Sequence, residues 1–347
     1  MKCSVLFAVA VFAFSTRSIT AQEAPQTKLK PADAVMTLPF NSAGYVRELS
    51  DSRVIFMMMD SLKSYQDPTK QYMVVADMKS RRMDRLPEWP LADLRALAAD
   101  TSLLPVGGGW VFTNGTKVLG MLEATNPVVV AAQSLIGADS MGFLVALRNQ
   151  RRDSADVVRV NRSTAEVEQL VRIKRSPILP PGPAPMYNGV QERVVYTFDG
   201  WLGVLRTAPY RVDWRSPAGK WTLGKPIPVP IVRFDDRERQ AYIAVRPVLL
   251  GEFAPTSPPK TWPEFVEHST GSPTPIPTPD GKMLVSRTPT ADFPGTRYDV
   301  VNREGVVERQ IVIGEREEII GFGAKSVYVR FGRRDRTDVR LERHPWP

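Results

Sequence analysis

One pattern recurs along this chain and limits what it can fold into: a strand-like run, a polar turn, and a second strand-like run. It stands at residues 71–86 (QYMVVADMKSRRMDRL), 156–173, 210–227 and 297–313, with a shortened copy at 338–346. The turns are built from Gly, Asn, Asp, Ser and charged residues, as hairpin connections require. Each copy follows a more strongly apolar run: RVIFMMMD (53–60), GFLVALR (142–148), WLGVLR (201–206), KMLVSR (282–287) and SVYVRF (326–331). Weaker runs precede most of these, at 45–49, 134–138, 193–198 and 317–322, and residues 109–131 form a more degenerate unit. Four strands per unit and six units account for nearly the whole chain. Most steps between units are about 40–50 residues, the period of a propeller blade.

The second strand of each unit is apolar at consecutive positions, so it must be covered on both faces. The connections are too short for the helices that cover strands in α/β proteins. A two-sheet sandwich would leave one face of each sheet wet and give strict alternation. Neighbouring blades supply the cover in a propeller. The expected fold is therefore all-β: a six-bladed β-propeller of four-stranded antiparallel blades. The last unit stops one strand short, and residues 34–40 (AVMTLPF) are a spare strand at the other end. That segment is expected to complete the last blade and close the ring, which removes exposed edges.

One step is about twice the others. Two blades could occupy it, giving seven. The charged run 235–245 and the Pro-, Thr- and Ser-rich 251–281 point instead to a helix and a long insertion over 232–280. A second short helix is expected at 91–99, where Leu91, Leu94 and Leu97 share one face.

Residues 209–229, 297–313 and 319–344 resemble the bacterial exported six-bladed β-propeller proteins of the NHL-like and TolB-like kind. The resemblance extends over residues 35–344. It implies the architecture and little else, because members of that group mostly lack an assigned function and a propeller hosts many activities.

The N-terminus carries Lys2, an apolar run from Ser4 to Phe14 and a small-residue site ending at Ala21. This reads as an export signal over residues 1–21, too short to span a bilayer, followed by a polar linker at 22–34. The only cysteine, Cys3, leaves with it, which suits a periplasmic or extracellular location. Loss of Lys2 and Arg17 lowers the formal charge from +9 to +7. Basic residues are scattered among acids, so nucleic acid is not the expected partner. No later run is long enough for a transmembrane segment.

Four successive second strands end in arginine: Arg148, Arg206, Arg287 and Arg330. On one rim of a propeller these would form a positive mouth for carboxylates, sulfates or phosphates. Each could instead pair with a local acid, with Asp153, Asp199, Asp292 and Asp335 nearest in sequence. Trp262 and His268, on the insertion, are the other candidate ligand-binding residues, since loops of this length are often functional. Asp235, Asp236 and Glu238 fit the acidic start of a helix better than a metal site. No metal, cofactor or catalytic set is apparent. The leading expectation is a monomeric binding scaffold for a small anionic ligand, a polysaccharide or a protein. A hydrolase or lactonase acting at the axial mouth is the alternative, and a purely structural envelope module is the third.

Overall fold

The computed structural model describes residues 24–38, 42–49, 51–59, 71–85, 95–98, 101–106, 109–113, 118–123, 134–138, 142–148, 153–161, 164, 166–174, 192–197, 199–250, 262, 264–266, 268–269, 275–332 and 339–347. Residues 1–21, the expected export signal, lie outside them. Two short strands open the described chain, β1 (Gln26–Lys28) and β2 (Ala34–Thr37). Antiparallel meanders follow: β3 (Ser42–Glu48), β4 (Val54–Met59), β5 (Gln71–Asp77) and β6 (Arg82–Arg85); β7 (Arg95–Ala98), β8 (Thr101–Val106), β9 (Gly109–Thr113) and β10 (Val118–Glu123); β11 (Ser134–Ala138), β12 (Gly142–Arg148), β13 (Ser154–Asn161) and β14 (Val167–Lys174); β15 (Arg193–Tyr196), β16 (Leu202–Thr207), β17 (Tyr210–Arg215) and β18 (Trp221–Thr222). Helix α1 (Asp236–Leu250) intervenes. Then come β19 (Ile276–Pro277), β20 (Met283–Ser286), β21 (Thr296–Val301) and β22 (Val307–Ile313), and finally β23 (Glu317–Phe322), β24 (Ser326–Phe331) and β25 (Arg340–Pro345). The protein is mostly β with one helix among the described residues, and that helix is not long and apolar enough to cross a membrane.

Strand pairing follows chain order within each meander. The N-terminal strand β2 pairs antiparallel with β25, from Ala34 opposite Arg343 to Thr37 opposite Arg340. Strands β23 and β3 pair in parallel through Gly321 opposite Val46, so the first and last meanders share one eight-stranded sheet. Gly321 permits this approach, because a Cβ there would lie 1.8 Å from the Val46 carbonyl oxygen.

The core explains the continuous apolar strands. On β16, Val204 packs with Leu144, Ala146 and Val157 of the preceding meander. Its neighbour Leu205 packs with Met283 and Val285 of the following one. On β20, Leu284 faces Ile319 and Val327 of the next meander, while Met283 and Val285 face back. Consecutive residues thus bury opposite faces of one strand, as sheets stacked face to face demand. Side chains tie the same seams: the Trp214 indole N–H donates to the Asn302 carbonyl at 2.8 Å, and the Ile319 amide donates to the Tyr298 hydroxyl at 3.1 Å.

Three local expectations are corrected. Residues 95–98 form strand β7 rather than part of a helix, paired with β8 from Arg95 opposite Leu103. Sheet pairing overrides a helical spacing carried by three leucines. Within the supposed linker, β1 pairs in parallel with β22 and adds a fifth strand to that sheet. Backbone bonds hold it, which polar composition cannot reveal. The insertion ends before residue 280, because β19 at Ile276–Pro277 is already the first strand of the next meander.

Helix α1 begins where the acids stand. The Asp235 carboxylate accepts the Glu238 amide at 3.0 Å and caps the first turn, with Asp236 and Glu238 beside the positive end of the helix.

Candidate functional site

Arg287 follows the last residue of β20, and its amide donates to the Arg297 carbonyl across the hairpin at 2.8 Å. Asp299 lies two residues beyond Arg297 and therefore on the same face of β21. The diagonal brings the Arg287 Nε to within 2.8 Å of Asp299 Oδ1. Gln310, opposite Asp299 on β22, turns its amide oxygen toward the same guanidinium.

The other carboxylate oxygen, Oδ2, accepts the Tyr210 hydroxyl at 3.0 Å and lies 3.3 Å from His268 Nε2. Tyr210 opens β17 in the preceding meander, and His268 comes from the insertion. Their rings are 4.3 Å apart, tilted by 55°. The Thr288 amide donates to the His268 carbonyl at 2.9 Å. Asp299 and Gln310 are wholly buried, Arg287 and Tyr210 nearly so.

Burial pushes the Tyr210 hydroxyl well above its ordinary value, and the Asp299 charge adds to this, so it remains a donor. Burial holds the His268 imidazole below its ordinary value. The bond to Asp299 opposes that effect, and the Arg287 and Arg297 charges reinforce it. His268 is accordingly a neutral imidazole that carries its proton on Nε2, toward Asp299.

The same diagonal occurs one meander earlier. Arg206, near the end of β16, donates to Asp213 at 3.1 Å and to Glu192 at 2.7 Å. Asp213 also accepts the Arg211 Nε at 2.9 Å and the Gly224 amide at 3.1 Å. Both strands carry Arg-x-Asp: Arg211-Val212-Asp213 and Arg297-Tyr298-Asp299. In the later copy Arg297 lies over the Phe293 ring at 4.2 Å, and Tyr210 and His268 occupy the remaining bonds of the acid.

Of the four strand-end arginines, Arg206, Arg287 and Arg330 face carboxylates, Arg330 meeting Glu318 across the β23–β24 pair. Arg148 closes β12 opposite Ala155, with its side chain outside the described residues. Asp199 and Asp292 serve other cations, Arg303 and Arg237. Asp153 accepts the Ser154 hydroxyl at 3.2 Å, and Asp335 lies outside the described residues.

Trp262 stacks on Phe234 at 5.0 Å and meets Tyr242 edge-on at 5.5 Å, so it packs the insertion against its own helix. The start of α1 is tied to the turn after Arg287: the Glu238 carboxylate accepts the Ala291 amide at 2.9 Å, and Arg237 pairs with Asp292. Trp262 thus anchors α1, and His268 reaches the Asp299 cluster. Sequence reasoning passed over Tyr210, Asp213, Asp299 and Glu192. The signal that finds the two aspartates is the Arg-x-Asp triplet repeated at one register of the third strands. Among the described residues no three His, Cys, Asp or Glu side chains gather as a metal-ligand set.

No family model and no curated protein matches the chain. Solved structures similar to it are β-propeller proteins. Regucalcin from Agrobacterium tumefaciens, a calcium-binding protein, is 10% identical with a TM-score of 0.45, over 94% of this chain and 98% of that one. A member of the DUF4221 family from Bacteroides vulgatus is 7% identical with a TM-score of 0.45, over 91% and 96%. TolB from Acinetobacter baumannii is 8% identical with a TM-score of 0.38, over 87% and 64%.

Proposed function

We propose that the chain is an exported six-bladed β-propeller acting as a rigid binding scaffold, which presents the loops of one face and the insertion between β18 and β19 to a partner protein. Six meanders support the blade count, the last completed by β2. The observation that carries the functional reading is the pairing of the strand-end arginines. Arg206, Arg287 and Arg330 each meet a carboxylate, and the first two meet acids that are buried. Guanidiniums engaged in this way act as internal struts and leave little charge for a free anion. The contact surface then falls to the insertion and the residue before it, where Ile231 and Phe265 are exposed beside the exposed Arg233–Glu264 pair, a mix of aliphatic, aromatic and charged groups suited to a protein interface.

The test compares Arg206→Gln, Arg287→Gln and Arg330→Gln for thermal stability and for binding of sulfate and a polyanionic polysaccharide at low salt. Lower melting temperatures with unchanged anion binding are expected. Lost anion affinity at unchanged melting temperature would restore the positive mouth as the working site.

A further inference from the structure

The repeated Arg-x-Asp register shows what the insertion adds. In the earlier copy, Asp213 is satisfied by two arginines and a backbone amide, all charged or fixed at any ordinary pH. In the later copy, one of these places is taken by an imidazole that enters from a different part of the chain. His268 touches Asp299 through Nε2, lies against the Tyr210 ring, and its carbonyl accepts the Thr288 amide. These contacts bind the returning limb of the insertion to the boundary between the fourth and fifth meanders.

We propose that His268 is a pH-sensitive latch, which holds the returning limb of the insertion onto β17, β20 and β21 when neutral and releases it when protonated.

The groups facing the imidazole are Tyr210 from β17, Arg287 from the end of β20, and Asp299 and Arg297 from β21. The single acid among them is already engaged by Arg287 at 2.8 Å. A proton on His268 therefore adds a cation to a buried site that holds two arginines and one carboxylate. Burial and both arginines oppose it, and only Asp299 favours it. The imidazole takes up its proton at a lower pH in the closed form than when free, so the latch is intact above the free value of about 6.5 and is lost as pH falls below it. Histidine is the side chain whose ordinary titration lies in this range. The chain has two, and the other, His344, sits between Glu342 and the Lys30 carbonyl on the last meander.

Hydrogen exchange read by mass spectrometry, corrected for the intrinsic pH dependence, tests this on the full mature chain. Protection of the peptides that contain 264–269 and 288 should fall between pH 7.5 and 5, by about tenfold for each pH unit separating the free and closed midpoints, while β12–β13 peptides stay protected. In His344→Gln, which leaves one histidine, the imidazole NMR titration should have a midpoint below the free value and coincide with the loss of protection. His268→Ala should be open at both pH values. A midpoint at or above the free value, or the same loss of protection in His268→Ala, would overturn the latch. Because the titration is read on a chain with His268 intact, the result does not depend on how well a substituted latch folds.

Discussion

Asp213 and Asp299 are buried acids, and a guanidinium meets each of them along the same diagonal. Asp299→Asn removes the charge and leaves Arg287 buried against a neutral amide. The expected loss is about 3–5 kcal/mol in urea unfolding. Replacing both partners, Asp299→Leu with Arg287→Met, should cost much less, because no uncompensated charge then remains. Equal losses for the single and the paired variant would show that the ion pair does not govern this site. The recurrence of the arginines was legible in the sequence, since it needs only an alignment of apolar runs. Their partners were not. Asp199 and Asp292 are near in sequence but pair with Arg303 and Arg237, while the true partners are chosen by hairpin register, which places Arg206 opposite Arg211 and so diagonal to Asp213.

At the scale of elements, the second strands were legible for a physical reason: residues such as Val204 and Leu205 must be apolar on both faces because a sheet lies against each. The elements misread are those whose identity lies in the backbone. Strand β1 buries little and is held by parallel pairing to β22, and β7 contains only the last of the three leucines that suggested a helix and pairs with β8 instead. The β3–β23 junction also belongs to the backbone. Gly321→Ala would place its Cβ 1.8 Å from the Val46 carbonyl oxygen, so the strands must separate. A stability loss of roughly 1–3 kcal/mol is expected from such overpacking, read as a lower urea midpoint. Gly314→Ala is the control, because its Cβ would meet only the Glu317 side chain, at 3.2 Å. Matching midpoints for the two variants would mean that the β3–β23 approach is not close in solution.

For the whole molecule, the pairing of β2 with β25 joins two segments distant in sequence. Strand β2 does more than pair with β25. Met36 and Leu38 are almost fully buried and pack with Leu341, Val339 and Tyr328, and Asp33 pairs with Arg343 at 2.7 Å. Removing two buried side chains of this size costs about 2–5 kcal/mol each, against a total stability of about 5–15 kcal/mol for a domain. It also bares the backbone edge of β25. A chain that starts at residue 40 should therefore fail to unfold cooperatively and should aggregate, whereas one that starts at residue 31, which lacks β1, Leu29 and Lys30 but keeps β2, should still melt as a single transition. Added in trans, a peptide of residues 31–40 should restore the longer truncation by strand addition, since the pocket left by Met36 and Leu38 accepts one register. Circular dichroism melts with and without the peptide read both outcomes. Cooperative melting of the residue-40 chain at the full-length temperature would mean that the last meander is complete without its N-terminal strand, and a peptide with Met36 and Leu38 changed to Asp should not rescue.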